Sequence, residues 1–270
     1  ATPFADNIAV DGTLAITGVE VGKIETYTGG LGFERGDGRI DVEVSTNGSK
    51  ILSDGRIDAH LAGKASLAAF DLAHQKFGSL KLATGAVSLD DIRLLYDPAG
   101  GIELSGSAAV SADGLDARLH DGTEVGLDGA VIGLPGLHAL LPHGGPPKLA
   151  AAPQLDVRAL RLGGRHVQGT AGGIAIRLSD FAVDGGEAGK PMTATGTVAV
   201  QRLALLLPLK KPIRIGGEAI SLDLPGMTFA FGERTLIDGP LGIDLSSFAL
   251  AVLKRATAEA PEHSPVDIAA

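Results

Sequence analysis

Cysteine and tryptophan are absent from this 270-residue chain, and aromatic residues make up only 4% of it. Without cysteine there is no disulfide framework, no thiolate metal site and no thiol nucleophile. That absence is compatible with an extracytoplasmic location and does not by itself require one. Long apolar runs are missing as well. A membrane-spanning helix takes roughly 20 apolar residues, whereas the longest run here, Leu203 to Leu207, stops at Pro208. The chain opens at Ala1 with no charged-then-apolar leader and is expected to be a piece of a longer protein. Positive charge is outnumbered: 23 Lys and Arg stand against 32 Asp and Glu, for a net charge of −9. The basic residues are scattered along the sequence. That argues against a nucleic-acid reader, and it disfavours anionic membrane surfaces as docking partners.

Chemistry-bearing motifs are equally scarce. There is no Gly-x-Ser-x-Gly elbow and no Gly-x-x-x-x-Gly-Lys loop to cradle phosphate. Among the seven histidines, His138 and His143 flank Pro142, and His60 shares the polar side of its segment with Asp58. None has two partners at a metal-ligand spacing. Gly29-Gly30-Leu31-Gly32-Phe33-Glu34 approaches a calcium-binding nonapeptide, but such units work as stacked copies and here there is one, so it reads as a turn. Asp90-Asp91 reads as a turn before Ile92, because neighbours in a strand point to opposite faces and cannot share a proton. Asn47-Gly48-Ser49 fits a glycosylation sequon and reads as a turn too. No catalytic residue, metal ligand or cofactor is assigned, and the expectation is a protein that is not an enzyme.

What the chain has in quantity is glycine, 39 residues of it, and the dipeptide Asp-Gly, which occurs eight times. Asp tolerates a left-handed backbone and Gly adopts one at no steric cost, so these dipeptides favour tight hairpin turns. Between them apolar and polar residues alternate. In Arg39 to Ser45, Ile40, Val42 and Val44 face one way while Arg39, Asp41, Glu43 and Ser45 face the other. The string Asp-Gly-Arg-Ile-Asp recurs at Asp37–Asp41 and Asp54–Asp58. That separation suits two short strands with their turns, the same strand sense returning after one hairpin.

The fold class expected is all-β, an antiparallel, hairpin-rich and highly curved sheet, with a single domain over 1–260 and a frayed tail at 261–270. Pro135, Pro142, Pro146, Pro147 and Pro153 mark 133–153 as a long connection holding a helical turn at 136–141. It either divides two sub-sheets or, preferably, interrupts one continuous sheet. Near the end, Ser246 or Ser247 caps a helix through Phe248 to Ala260, or else a strand there leads into a short helix.

The aliphatic face leaves two shapes open. One is the closed core of a sandwich or barrel; the other is a sheet that curls without closing and leaves an apolar trough. Few aromatics are available to plug an interior, and mean hydropathy is +0.23 without any membrane span. Both favour the trough, whose lining is expected to be Ile40, Val42, Val44, Ile57, Leu61, Leu80, Leu82, Ile174, Ile176, Leu178, Val198, Val200, Leu222 and Leu224. A phospholipid or other acyl-chain lipid is the partner such a lining suits. A structural or adhesive surface protein with a dry core is the alternative.

Phrases such as Gly12-Thr-Leu-Ala-Ile-Thr-Gly-Val-Glu-Val-Gly22, Asp37-Gly-Arg-Ile-Asp-Val-Glu-Val44 and Gly169-Thr-Ala-Gly-Gly-Ile-Ala-Ile-Arg-Leu178 resemble the AsmA-like and TamB-like proteins. The resemblance covers most of the chain. It implies a taco-shaped β-groove of the Gram-negative envelope, concerned with moving phospholipid between membranes or with outer-membrane biogenesis. It also implies a periplasmic setting, envelope membrane proteins as partners, and an N-terminal anchor on the longer chain. It gives no individual residue a role.

Overall fold

A computed structural model of the chain describes residues 8–22, 33–184, 192–230 and 236–253. Alternating sequence has become strand almost throughout. The elements are β1 (Ile8–Glu20), β2 (Phe33–Ile51), β3 (Ile57–His74), β4 (Gly78–Asp97), β5 (Gly101–Leu119), β6 (Glu124–Pro142), β7 (Lys148–Ala151), β8 (Gln154–Gly163), β9 (Gln168–Asp184), β10 (Met192–Leu207), β11 (Ile213–Ala230), β12 (Leu236–Asp238), β13 (Gly242–Ser246) and β14 (Ala249–Val252). All join one sheet in which neighbours in sequence are neighbours in space. β7 and β8 share the place between β6 and β9, and β12, β13 and β14 share the place beside β11, so 14 strands fill eleven positions. Every pairing is antiparallel.

The main strands are three times the usual length of about 5–6 residues; β4 has 20. Their length follows from what the Asp-Gly dipeptides do. Asp54-Gly55 and Asp121-Gly122 close hairpins, with Gly55 N–H donating to the Leu52 carbonyl and Gly122 N–H to that of Leu119, each at 3.0 Å. Asp11-Gly12, Asp37-Gly38, Asn47-Gly48, Asp113-Gly114 and Asp128-Gly129 instead lie inside strands. At Gly38, Gly48 and Gly114, whose φ is positive, the backbone freedom that closes a turn instead lets a strand bulge, and a bulge bends the strand that carries it.

These bulges line up into two creases. Gly38, Ala69, Gly114, Ala159, Arg202 and Ser247 all have positive φ, and the strand registers place them in one line across the sheet. A second line runs through Gly48, Asp91, Gly106, Gly136, Gly226 and Gly239, passing the break at Ala152-Pro153 between β7 and β8. On β5 the creases sit at Gly106 and Gly114, so the middle panel is roughly 27 Å wide at about 3.4 Å per residue. Asp side chains repair the interrupted ladders: Gly18 N–H donates to Asp41 at 2.6 Å, and Gly48 N–H donates to Asp11 at 2.5 Å. Both donors are exposed, so the aspartates replace water as acceptors and tie the bulge to the neighbouring strand.

There is almost no core. Among the described residues no side chain is fully buried, and the buried hydrophobic ones are Ile92, Ala151, Ala171, Ala194 and Met227. Four of these sit at the second crease and Ala171 beside the first, on the same side of the sheet as the aliphatic rows described below. The sheet therefore folds around that side. Every pair of elements in contact is a hydrogen-bonded pair, so among the described residues no second layer packs on either face. A sandwich is not formed.

Several local expectations are corrected. Residues 133–153 are not a long connection: β6 runs on to Pro142, a turn occupies 143–147, and β7 follows. The stretch 136–141 is strand, with Pro135 and Gly136 absorbed by the second crease. The two Asp-Gly-Arg-Ile-Asp strings do not bring the same strand sense back: the first lies inside β2, and the second closes the hairpin into β3, which it enters at Ile57 and which runs antiparallel to β2. Asp91 is an in-strand bulge with φ of 50° rather than a turn residue, and Asn47-Gly48-Ser49 lies within β2. Of the two C-terminal alternatives, the strand is the one formed at Ala249–Val252. The remainder of the proposed C-terminal helix, the frayed tail and most of the Gly29–Glu34 motif lie outside the described residues.

Candidate functional site: an uncovered aliphatic face

Cross-strand partners share a face, so the registers show how the apolar residues combine. The middle panel carries an unbroken row from one edge of the sheet to the other. It runs Ile16, Val42, Ala65, Val87, Val110 and Ile132, then Leu155, Ile176, Val198, Leu222 and Ile243. A parallel row runs Val19, Ile40, Leu67, Gly85, Ala112 and Ala130, then Val157, Ile174, Val200, Ile220 and Leu245. Every strand position contributes an aliphatic residue or a glycine to each.

The flanking panels repeat the design. Beyond the first crease, Gly36, Leu72, Leu80, Ala117, Val125 and Leu162 continue through Gly169, Leu205, Ile215 and Leu250. Beyond the second, Ile8, Ile51, Ile57, Tyr96, Ile102 and Leu141 form another row. The crease does not turn the apolar residues to the other side. Leu82 comes within 3.0 Å of where a Cβ on Gly85 would stand, and Ile220 within 3.4 Å for Gly217. Residues three apart thus meet on one face across the bulge.

All fourteen residues expected to line a trough lie on this face. Ile40, Ile174 and Val200 share one row; Val42, Ile176, Val198 and Leu222 share the next. Val44 pairs with Gly63 and Leu14, and Leu178 pairs with Gly196, which pairs with Leu224. Ile57 and Leu61 follow the uninterrupted alternation of β3, while Leu80 and Leu82 lie beyond the first crease. The sequence reading missed Ile16, Ala65, Val87, Val110, Ile132, Leu155 and Ile243, which complete the central row. A signal was present: apolar positions step by three at the crease, from Ala112 to Leu115, Ala171 to Ile174, Val200 to Leu203 and Gly217 to Ile220.

The face is open. Ile16 is 47% exposed, Val87 40%, Val110 44%, Ile132 46% and Ile243 59%. A sheet hydrophobic on one side ordinarily buries that side against another element, and an apolar surface this extensive marks a binding surface.

The opposite face is a lattice of exposed ion pairs between strands. Arg93 grips Asp58 with two hydrogen bonds of 2.9 Å and holds its carboxyl below the usual carboxylate range. Arg35, at 2.6 Å, does the same for Asp71. The Gly18 N–H and then Arg39 lower Asp41, and Asp128 raises Arg161. Arg158 reaches Asp113 at 2.8 Å across Gly129, whose missing side chain leaves the space the pair occupies. His60 stands 3.4 Å from Asp58 on this face, and His138, carried on β6, lies 3.0 Å from Glu103. Among the described residues no group of three or more His, Asp or Glu converges.

No family model, curated protein or solved structure matches this chain.

Proposed function

We propose that the chain is a non-enzymatic trough that holds lipid acyl chains along its aliphatic face, as part of a bacterial envelope protein working in the periplasm. The observation that carries this reading is the central row. Aliphatic residues from all eleven strand positions align without a polar interruption; Ile16, Val87, Val110, Ile132 and Ile243 are 40–59% exposed, the other six are partly buried, and among the described residues no protein layer lies opposite them. Each methylene withdrawn from water onto such a surface contributes about 0.8 kcal/mol. At about 4.8 Å per strand the row is roughly 48 Å long, ample for several acyl chains. The likeness to AsmA-like and TamB-like sequences supports the same reading, and with it phospholipid as the ligand class and envelope membrane proteins as partners. The alternative, an adhesive protein with a dry core, needs a layer over Val110 and Ile132.

Native mass spectrometry of the purified chain, with extraction and identification of anything released, tests this. Phospholipid at near-stoichiometric level is expected, and Val42→Asp or Ile176→Asp is expected to remove it while leaving the fold intact. An apo mass unchanged after incubation with lipid vesicles would sink the proposal.

A further inference from the structure

Hairpins of this sheet turn at two rims, and the rims differ. Along one lie the turns 75–77, 120–123, 164–167 and 208–212. The registers confirm their alignment: His74 pairs with Gly78, Gly78 with Leu119, and Arg118 with Glu124, which pairs with Gly163; Leu206 pairs with Gln168, and Leu207 with Ile213. Successive turns stand two strands apart, so the four extend over roughly 30 Å. Basic residues distant in sequence are thereby brought together. These turns hold Lys76, Arg165, Lys210 and Lys211 against Asp121 alone, 4 − 1 = +3, in a chain whose net charge is −9. On the other rim, the described turns 52–56, 98–100 and 143–147 hold only Arg56 and Asp54, 1 − 1 = 0, and these two pair with each other at 2.7 Å.

The four cations are exposed and form no ion pair among the described residues. Beside them stand the two most prominent apolar tips outside the trough: Phe77, 68% exposed and next to Lys76, and Leu209, 57% exposed and next to Lys210. Cations that attract phosphate headgroups, with apolar side chains between them at the height of the first methylenes, are the elements of interfacial docking.

We propose that this rim docks on an anionic phospholipid bilayer, with its row of four turns laid along the membrane surface. The inference does not depend on what the trough holds. The occupant follows from charge complementarity: the four turns carry a net +3 with apolar tips, and of the carboxylates at the adjoining strand ends Glu124 stands 3.6 Å from Arg118 while Glu34 lies toward the β2 end of the row, which suits an anionic surface with an apolar layer just beneath it. A basic patch alone would suit an acidic protein equally, but protruding Phe77 and Leu209 favour the bilayer.

Co-flotation of the chain with vesicles tests it. Binding is expected with phosphatidylglycerol-containing vesicles, not with pure phosphatidylcholine, and is expected to weaken in high salt. Each cation removed lowers partitioning about fivefold, so K210A/K211A is expected to cost about 25-fold, and F77S/L209S to weaken binding without changing its salt dependence. Arg177→Ala, on the polar face, leaves binding unchanged. So do Val42→Asp and Ile176→Asp, which separates this docking from lipid held in the trough. Equal flotation with both vesicle types, no flotation with either, or binding unaffected by K210A/K211A would overturn the proposal. All these tips are exposed turns, so loss of binding with an unchanged melting curve reports docking and not folding.

Discussion

Val110→Asp places a carboxylate in the middle of the central aliphatic row. Full burial of a valine contributes about 1.5–3 kcal/mol, and Val110, 44% exposed, realises a little over half of that. Its loss therefore costs about 1–1.5 kcal/mol, and the poorer strand preference of Asp adds up to about 1 kcal/mol. The new charge stays hydrated because nothing covers it. A total near 2 kcal/mol corresponds to a fall in Tm of roughly 4–8 °C. Inside a closed core the same carboxylate would be desolvated and unpaired at a further cost of about 3–5 kcal/mol, a large part of a typical domain's stability. Lipid responds in the opposite proportion. An acyl chain lifted off the carboxylate over three methylenes loses about 2.4 kcal/mol, which weakens its hold roughly 60-fold. Circular dichroism melts of delipidated protein, together with native mass spectra after lipid loading, read both quantities. An unfolded Val110→Asp protein would refute the open face, and an unshifted melt with full lipid occupancy would refute the trough.

Two further outcomes follow from the creases and the polar face. A Cβ on Gly106 would lie 2.7 Å from the Asp91 carbonyl oxygen and 2.7 Å from Ile92 Cδ1, at a φ of 143°. Gly106→Val is therefore expected to lower stability by about 3 kcal/mol, read as a reduced urea midpoint at unchanged m-value; an unaltered midpoint would show that the second crease is not a fixed feature. The carboxyls of Asp41, Asp58 and Asp71 are held low in the folded protein. Groups depressed on folding stabilise above the unfolded value near 3.9 and lose that contribution as pH falls through the folded values. Tm should hold from neutrality to about pH 5 and drop below about pH 4, with Asp58→Asn removing part of the drop; a Tm that rises on acidification would contradict this.

Period 2 in segments such as Arg39–Ser45 was enough to read an antiparallel sheet and to place Val42 and Ile176 on one side of it, because that period is a property of each strand alone. The Asp-Gly dipeptides were legible as positions of unusual backbone, but not as to kind. Asp121-Gly122 and Asp113-Gly114 offer the same φ freedom, and only the partner strand decides whether the chain reverses or bends. Counting each as a turn cut long strands into short ones, and the prolines from Pro135 to Pro153, separately read as a break, made a connection of the end of β6. The three-residue step from Ala112 to Leu115 departs from period 2, and continuity across such a bulge shows only when the neighbouring strand steps at the same place. The basic rim was hidden for a related reason: Lys76 and Lys211 are far apart in sequence and come to one margin only through the order of the hairpins.

Among the described residues, every contact between elements of this sheet lies between strands that are also hydrogen-bonded. Its energetics are those of a one-dimensional array, in which each hairpin contributes its own stability and an interface to the next. No long-range contact ties β1 to β14, so the two ends open independently of the middle. Unfolding then proceeds from the margins as a zipper does, and the array tolerates gain or loss of a whole hairpin without redesign of the rest. The length of such a protein is an adjustable quantity, while its cross-section, set by two creases repeated in strand after strand, is not.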